Sequence, residues 1–264
     1  MNNTFLESSE PLRAPVERGN AANTLLHRGS YWRFPVKNTF TNLMTALALA
    51  MFTFAVIPAY ADDAANKANG VVTRALWTLE NFVAHPDMEW FRYELKYAKA
   101  VLIIPTLGKG GFIFGGYGGS GCMLARDEKL DEWSYPAFYT LGGLTFGLQI
   151  GGAVDELVLM AITPKGLDAM LTSSFKLGLD ASVALGPVGR GLKGATADII
   201  AFSRSKGLFG GLTVEGAMVA TRDKWNSAYY GKELRPSEIL VLRKATNTRA
   251  DKLREALKNA AGTK

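Results

Sequence analysis

The chain has 264 residues, a formal net charge of +6 and a single cysteine. One cysteine excludes an internal disulfide, so an oxidising compartment would add nothing covalent to the fold. The charge favours anionic surfaces but is far below that of a dedicated nucleic-acid binder, so no nucleic-acid partner is expected.

The N-terminal region reads as a leader. Leu43 to Ile57, LMTALALAMFTFAVI, is apolar apart from Thr45 and Thr53. This length suits a signal-peptide core and is short for a membrane span, which needs about 20 apolar residues. Lys37 precedes it, and Pro58 breaks the helix before Ala59-Tyr60-Ala61, whose small first and third residues suit cleavage after Ala61. The alternative is an uncleaved anchor helix. Residues 1–35 are longer than a leader needs and read as a mis-called start or an extension. Residues 1–61 are therefore assigned to the leader, and 62–264 to a single domain of 203 residues with 25 basic against 21 acidic residues. The leader implies export to the cell envelope, periplasmic or peripheral to the membrane.

In chain order, Val71, Val72, Ala75, Leu76, Leu79, Phe82 and Val83 recur at helical spacing. Pro86 ends that helix, and Asp87 is placed to cap a second one reaching about Lys99. Val101–Ile104 is a short apolar strand ending at Pro105. Gly110–Gly118, Gly121–Arg126, Trp133–Leu141, Gly143–Gly151 and Asp155–Thr163 are glycine- and aromatic-rich, and many alternate with period two, as strands do. Glycine in strands permits strong bending, as in curved sheets. Thr163 caps a short helix over Pro164–Leu171. Leu177–Leu185, Ile199–Ser203 and the alternating stretch Leu208–Met218 read as further strands, and a charged helical tail starts at Ser237. The expected fold is α+β: N-terminal helices, a curved, barrel-like antiparallel sheet and a C-terminal helix.

The patterns of most enzymes are missing. His85 is the only histidine after the leader and lies beside Pro86, a poor setting for a catalytic base and a good one for a surface turn. No Cys/His spacing matches a zinc site, and no catalytic residue, metal or cofactor is expected. Asp127, Glu128, Asp131 and Glu132 lack the spacing of a calcium loop and read as a solvated hairpin tip. Gly116-Tyr117-Gly118-Gly119-Ser120-Gly121 matches the dinucleotide fingerprint formally, but the strand-like residues after it leave no room for the helix that would receive the pyrophosphate. Gly186–Gly191 could hold an anion through backbone N–H groups and Arg190, or serve as a plain connection.

A surface chemistry is more legible. Arg92, Lys96 and Lys99 share one face of the second helix, and Trp90, Tyr93 and Tyr97 form the adjoining stripe. Aromatic rings occupy the headgroup layer of a bilayer while cations meet anionic lipid. A solvated basic face is the competing reading. Lys109, Arg190, Lys193, Arg204, Lys206, Arg222 and Lys224 follow strands or lie in loops.

The stretch from Ala98 to Leu240 resembles the SYLF domain family. The resemblance is carried by ordered blocks: Ala98-Lys99-Ala100-Val101 with Ile104-Pro105; Lys109-Gly110-Gly111-Phe112 and Gly118-Gly119-Ser120-Gly121; Trp133-Ser134-Tyr135-Pro136 and Gly147–Gly151; Ser182–Arg190; Ser203–Gly211 before Glu215-Gly216; and Tyr229-Tyr230-Gly231-Lys232. It implies binding of anionic, phosphoinositide-type headgroups through an N-terminal amphipathic helix and basic residues. Arg92, Lys96, Lys99 and Lys109 are the first candidates by this resemblance, and Arg190, Arg204 and Lys206 the next. For an exported bacterial protein, phosphatidylglycerol or cardiolipin would present similar charge, and actin would not be met. The alternative is an envelope scaffold with a protein partner and incidental lipid affinity. An outer-membrane β-barrel fits less well, because the chain ends in a charged helix and not a closing strand.

Overall fold

The computed structural model describes residues 57–111, 114–146, 153–186, 197–205, 208–210 and 214–262. The expected leader core before Ile57, the extension ahead of it, and the candidates Arg190, Lys193 and Lys206 lie outside those residues.

Helix α1 spans Ile57–Ala84. Pro58 and Ala59-Tyr60-Ala61 lie within this helix. The periodic residues Val71, Val72, Ala75, Leu79 and Phe82 are buried as their spacing requires. Burying each of the larger side chains contributes about 1.5–3 kcal/mol. The helix ends before the His85-Pro86 turn. Helix α2, Glu89–Leu95, is shorter than its pattern suggested, and its N-cap is Met88 without a side-chain bond, so Asp87 does not cap it.

The sheet begins with β1, Ala100–Gly111, and β2, Phe114–Asp127. Pro105 does not end β1. The pairing of β1 with both neighbours shifts register between Ile103 and Leu107, and this bulge takes up the proline, which has no N–H to give to a ladder. The formal nucleotide fingerprint, Gly116–Gly121, lies inside β2, which runs on to Asp127 with no helix after it. A short β3, Glu132–Trp133, pairs with the end of β2, and β4, Ala137–Phe146, and β5, Ala153–Ala161, follow. Helix α3, Pro164–Met170, is capped as expected: the Thr163 hydroxyl accepts from the Gly166 N–H at 3.1 Å.

Two stretches expected as continuous strands are strand only in part. Leu177–Leu185 contributes only β7, Val183–Leu185, while β6 is Ser174–Lys176 and a turn with Gly178 at φ 83 separates them. After β8, Ile199–Ser205, the alternating Leu208–Met218 region yields β9, Leu208–Gly210, then a turn at Glu215-Gly216, and β10, Met218–Thr221. Alternation alone could not show that β9 pairs with β8 while β10 pairs with β4 and β6.

The strand order is β6-β10-β4-β2-β1-β5-β8-β7, in a strongly curled half-barrel. Among the described residues the named strands pair antiparallel except β7 with β8, so the sheet is mixed and not wholly antiparallel. Its two faces support separate cores. Val101, Ile103, Cys122, Leu124, Phe138, Val158, Met160 and Phe202 face α1 and α2. Leu102, Ile104, Met123, Tyr139, Leu157, Leu159 and Val219 line the other face. Gly121 is required where β1 and β2 meet, because a Cβ there would strike the carbonyl of Ile103.

The tail is less uniform than its composition suggested. Helix α4, Asp223–Tyr230, ends at Gly231 in the left-handed conformation, φ 67. Helix α5, Pro236–Leu240, is a single short turn, and α6, Asp251–Ala261, is separate from it. Helix α1 packs against both α4 and α6.

Candidate functional site

Helix α2 presents the aromatic stripe because its other side is anchored. Met88, Phe91 and Leu95 are fully buried, with Phe91 tilted on Phe82 at 5.1 Å and edge-on to Phe202 at 5.3 Å. The opposite side leaves Tyr93 and Tyr97 each 48% exposed. Trp90 is half-buried and meets Tyr93 edge-on at 5.1 Å, and Tyr93 meets Tyr97 at 5.2 Å, so the three rings form one continuous ladder. The helix itself stops at Leu95, but the Lys96 and Tyr97 N–H groups still donate to the Tyr93 and Glu94 carbonyls, which keeps Tyr97 in line. The hydrogen bond between Tyr93 and Tyr97 raises the Tyr93 phenol above its ordinary value. Beneath the ladder Glu94 is buried, and desolvation raises its carboxyl.

The candidate cations do not form one free cluster. Arg92 is half-buried, and its Nη1 donates to the carbonyls of Val83 at 3.0 Å and His85 at 2.8 Å, closing the C-terminal end of α1. Lys96 is exposed at the end of α2. Lys99 pairs with Glu128 at 2.6 Å. Lys109 pairs with Asp155, whose carboxylate is fully buried in β5. Arg204 is bound to Glu156, which also accepts from the Thr78 hydroxyl of α1 at 2.8 Å. Lys109 and Arg204 thus lie on the sheet, whereas the aromatic ladder, Lys96 and Lys99 lie together around α2.

Arg126 was not singled out from the sequence. It is buried at the end of β2 and donates to the Lys96 carbonyl at 2.7 Å, to Asp131 at 3.0 Å and to the Gly262 carbonyl at 3.4 Å. One guanidinium therefore fastens the end of α2, the β2–β3 turn and the end of α6. The available signal was an arginine closing the apolar run Cys122-Met123-Leu124-Ala125. The acidic residues form the β2–β3 turn as expected, and His85 stands in the α1–α2 turn, where its Nδ1 accepts from the Asp87 N–H at 3.3 Å. Among the described residues, no group of three or more His, Cys, Asp or Glu could hold a metal ion. Also among them, no helix is long and apolar enough to cross a membrane, which says nothing of a strand-built barrel.

A curled half-barrel with helices packed on both faces, and with an aromatic ladder at its surface, defines an α+β domain. Residues 142–260 match the family model Ysc84, described as Las17-binding protein actin regulator. The chain is 33% identical to Protein YSC84 of Saccharomyces cerevisiae over 177 residues, 64% of this chain and 37% of that protein. It is 32% identical over 161 residues to the human SH3 domain-containing YSC84-like protein 1, covering 59% of this chain and 46% of that one. LAS seventeen-binding protein 3 of S. cerevisiae is 34% identical over 154 residues, 55% of this chain and 33% of that protein. The chain spans less than half the length of these curated relatives. The matched region is thus similar to the Ysc84-type (SYLF) domain that the motif blocks resemble.

Proposed function

We propose that this protein binds the surface of anionic phospholipid membranes, with the Trp90–Tyr93–Tyr97 ladder entering the headgroup layer and Lys96 meeting lipid phosphate. The observation that carries this reading is the ladder itself. Two tyrosines are half exposed beside an exposed lysine, on a helix whose opposite side is fully buried. Rings with an apolar body and a polar tip partition to the bilayer interface, and each nearby Lys or Arg adds about 1 kcal/mol of attraction to an anionic surface. Recognition of a phosphoinositide-like headgroup, and further contacts from Lys99, Lys109, Arg190, Arg204 and Lys206, belong to the same proposal. So does export through the leader with cleavage after Ala61, which N-terminal sequencing of the protein from its native host would test.

The test of lipid binding is co-sedimentation with neutral and anionic vesicles at low and near-physiological salt, using wild type, Tyr93→Ser/Tyr97→Ser and Lys96→Glu. Binding to anionic vesicles that persists in salt and weakens in both variants is expected. Binding lost at about 0.15 M salt, where exposed charges are largely screened, would overturn the insertion component. Equal binding by all three proteins would remove the ladder from the site.

A second reading is an interaction module that binds a protein partner and meets lipid only incidentally. The family description and the yeast relative's name, which refer to Las17, favour it. A partner recovered in vivo by crosslinking, together with absence of vesicle binding, would select this reading.

A further inference from the structure

Asp131 and Arg243 both have a backbone φ of 52, and among the described residues no other non-glycine positions have positive φ. An L side chain in the left-handed region crowds its own backbone, so such geometry persists where the surroundings hold it, and it concentrates where a loop must present something. Asp131 is held by Arg126. Arg243 donates to the Glu132 carbonyl at 2.8 Å and lies 3.9 Å from Asp127 and 3.7 Å from Glu132. The two strained positions therefore belong to two loops that are fastened together: the β2–β3 turn and the segment after α5.

Each of these loops exposes apolar side chains. Leu130, at the tip of the turn, is 64% exposed, and Val241 and Leu242, next to Arg243, are 52% and 59% exposed. The turn is rigidly built, because the Asp127 carboxylate accepts the N–H groups of Lys129 at 2.9 Å and Leu130 at 3.1 Å. The same bonds hold the Asp127 carboxyl below its ordinary range, so it stays charged. The four acids of the turn are matched by Arg126, Arg243, Lys99 and the exposed Lys129, so the tip carries no net charge to be repelled by an anionic surface. Preformed loops lose little freedom on docking. The tip is also continuous with α2, through Lys99 to Glu128 and through Arg126 to the Lys96 carbonyl.

We propose that Leu130 of the β2–β3 turn and Val241-Leu242 after α5 form a second insertion point, entering the interfacial layer of a phospholipid bilayer beside the aromatic ladder. This rests on the lipid reading above. A bilayer suits these loops because they put protruding apolar side chains on a charge-balanced support that continues from the aromatic ladder.

The experiment places an environment-sensitive fluorophore on the full chain at Leu130→Cys, Leu242→Cys or Tyr97→Cys; the native Cys122 is buried and does not compete. Each labelled protein is mixed with phosphatidylcholine vesicles containing phosphatidylglycerol, with and without spin-labelled lipid. Blue-shifted emission and quenching at 130 and 242, as well as at 97, are expected. The double variant Leu130→Ser/Leu242→Ser should melt like wild type and bind vesicles at least about tenfold more weakly, since two leucines no longer leave water. A response at 97 alone would overturn the second insertion point and leave the lipid reading standing. No response at any position, with no co-sedimentation, would overturn both. A shift at 130 and 242 that needs only higher protein concentration would make this tip a protein–protein surface and overturn the proposal.

Discussion

The guanidinium of Arg92 donates to the carbonyl of His85 at 2.8 Å, across the turn that joins α1 to α2. With the second bond to Val83 at 3.0 Å, it satisfies carbonyls that the end of a helix leaves open. A residue chosen as a lipid-facing cation thus also fastens the two N-terminal helices. Arg92→Glu should lower stability by about 2 kcal/mol, in line with hydrogen bonds from a charged donor, whereas Lys96→Glu should change it by less than about 0.5 kcal/mol. Urea denaturation of both variants checks this. Equal stability would mean that the Arg92 bonds contribute nothing, and Lys96→Glu is in any case the cleaner probe of vesicle binding.

Arg126 is the more critical arginine. Its side chain is 2% exposed, and three elements meet on it. Removing one partner from a buried charged network costs about 3–5 kcal/mol. Arg126→Met should lose stability in that range and loosen α2 together with the C-terminus, so amide exchange should accelerate at Lys96–Tyr97 and near Gly262 in one step. Acceleration confined to the β2–β3 turn would show that the guanidinium does not couple these elements.

Asp198 makes the fold sensitive to acid. Its carboxylate accepts from the hydroxyl of Thr163 at 2.7 Å and from the Ser182 hydroxyl and N–H at 2.8 and 3.0 Å, and these bonds hold its carboxyl below the ordinary range. Because the folded value is lower than the unfolded one, the charged form binds the native state preferentially. The contribution is complete above the unfolded carboxyl value of about 4 and is lost as pH falls below it toward the folded value. Asp198→Asn should flatten the acid side of the stability profile while leaving its shape above pH ~6 unchanged. An unaltered acid limb in urea titrations would assign that sensitivity to other carboxylates.

Cys122 lies in β2 against the helices, and burial pushes its thiol up to about 12. Since the thiolate is the reactive form, the native protein should resist thiol reagents at neutral pH and react at the rate of global unfolding. Fast labelling of the native protein would show that the α1 side of the core opens locally.

Much of the fold was legible because it rests on periodic burial. The stripe Val71–Phe82 specified α1, and Thr163 marked the start of α3. Helix α4 was not legible. It has only eight residues, and it meets the sheet through Trp225 and Tyr229 against Phe138 and through Asn226, whose side-chain oxygen accepts from the Phe138 N–H at 2.8 Å, a contact 88 positions away that no local pattern announces. The division of Leu208–Met218 into β9 and β10 was hidden for a related reason: alternation reports a strand but not its neighbours.

The aromatic ladder was readable because positions 90 and 93 follow helical spacing and the backbone bonds from Lys96 and Tyr97 carry that turn on past Leu95. The partners of the cations were decided by tertiary structure. Lys99 meets Glu128, Lys109 meets Asp155 and Arg204 meets Glu156, each across 29 to 48 positions of chain. A charge has no local signature of its partner, since Coulomb attraction depends on distance in space, and only the curled sheet sets that distance.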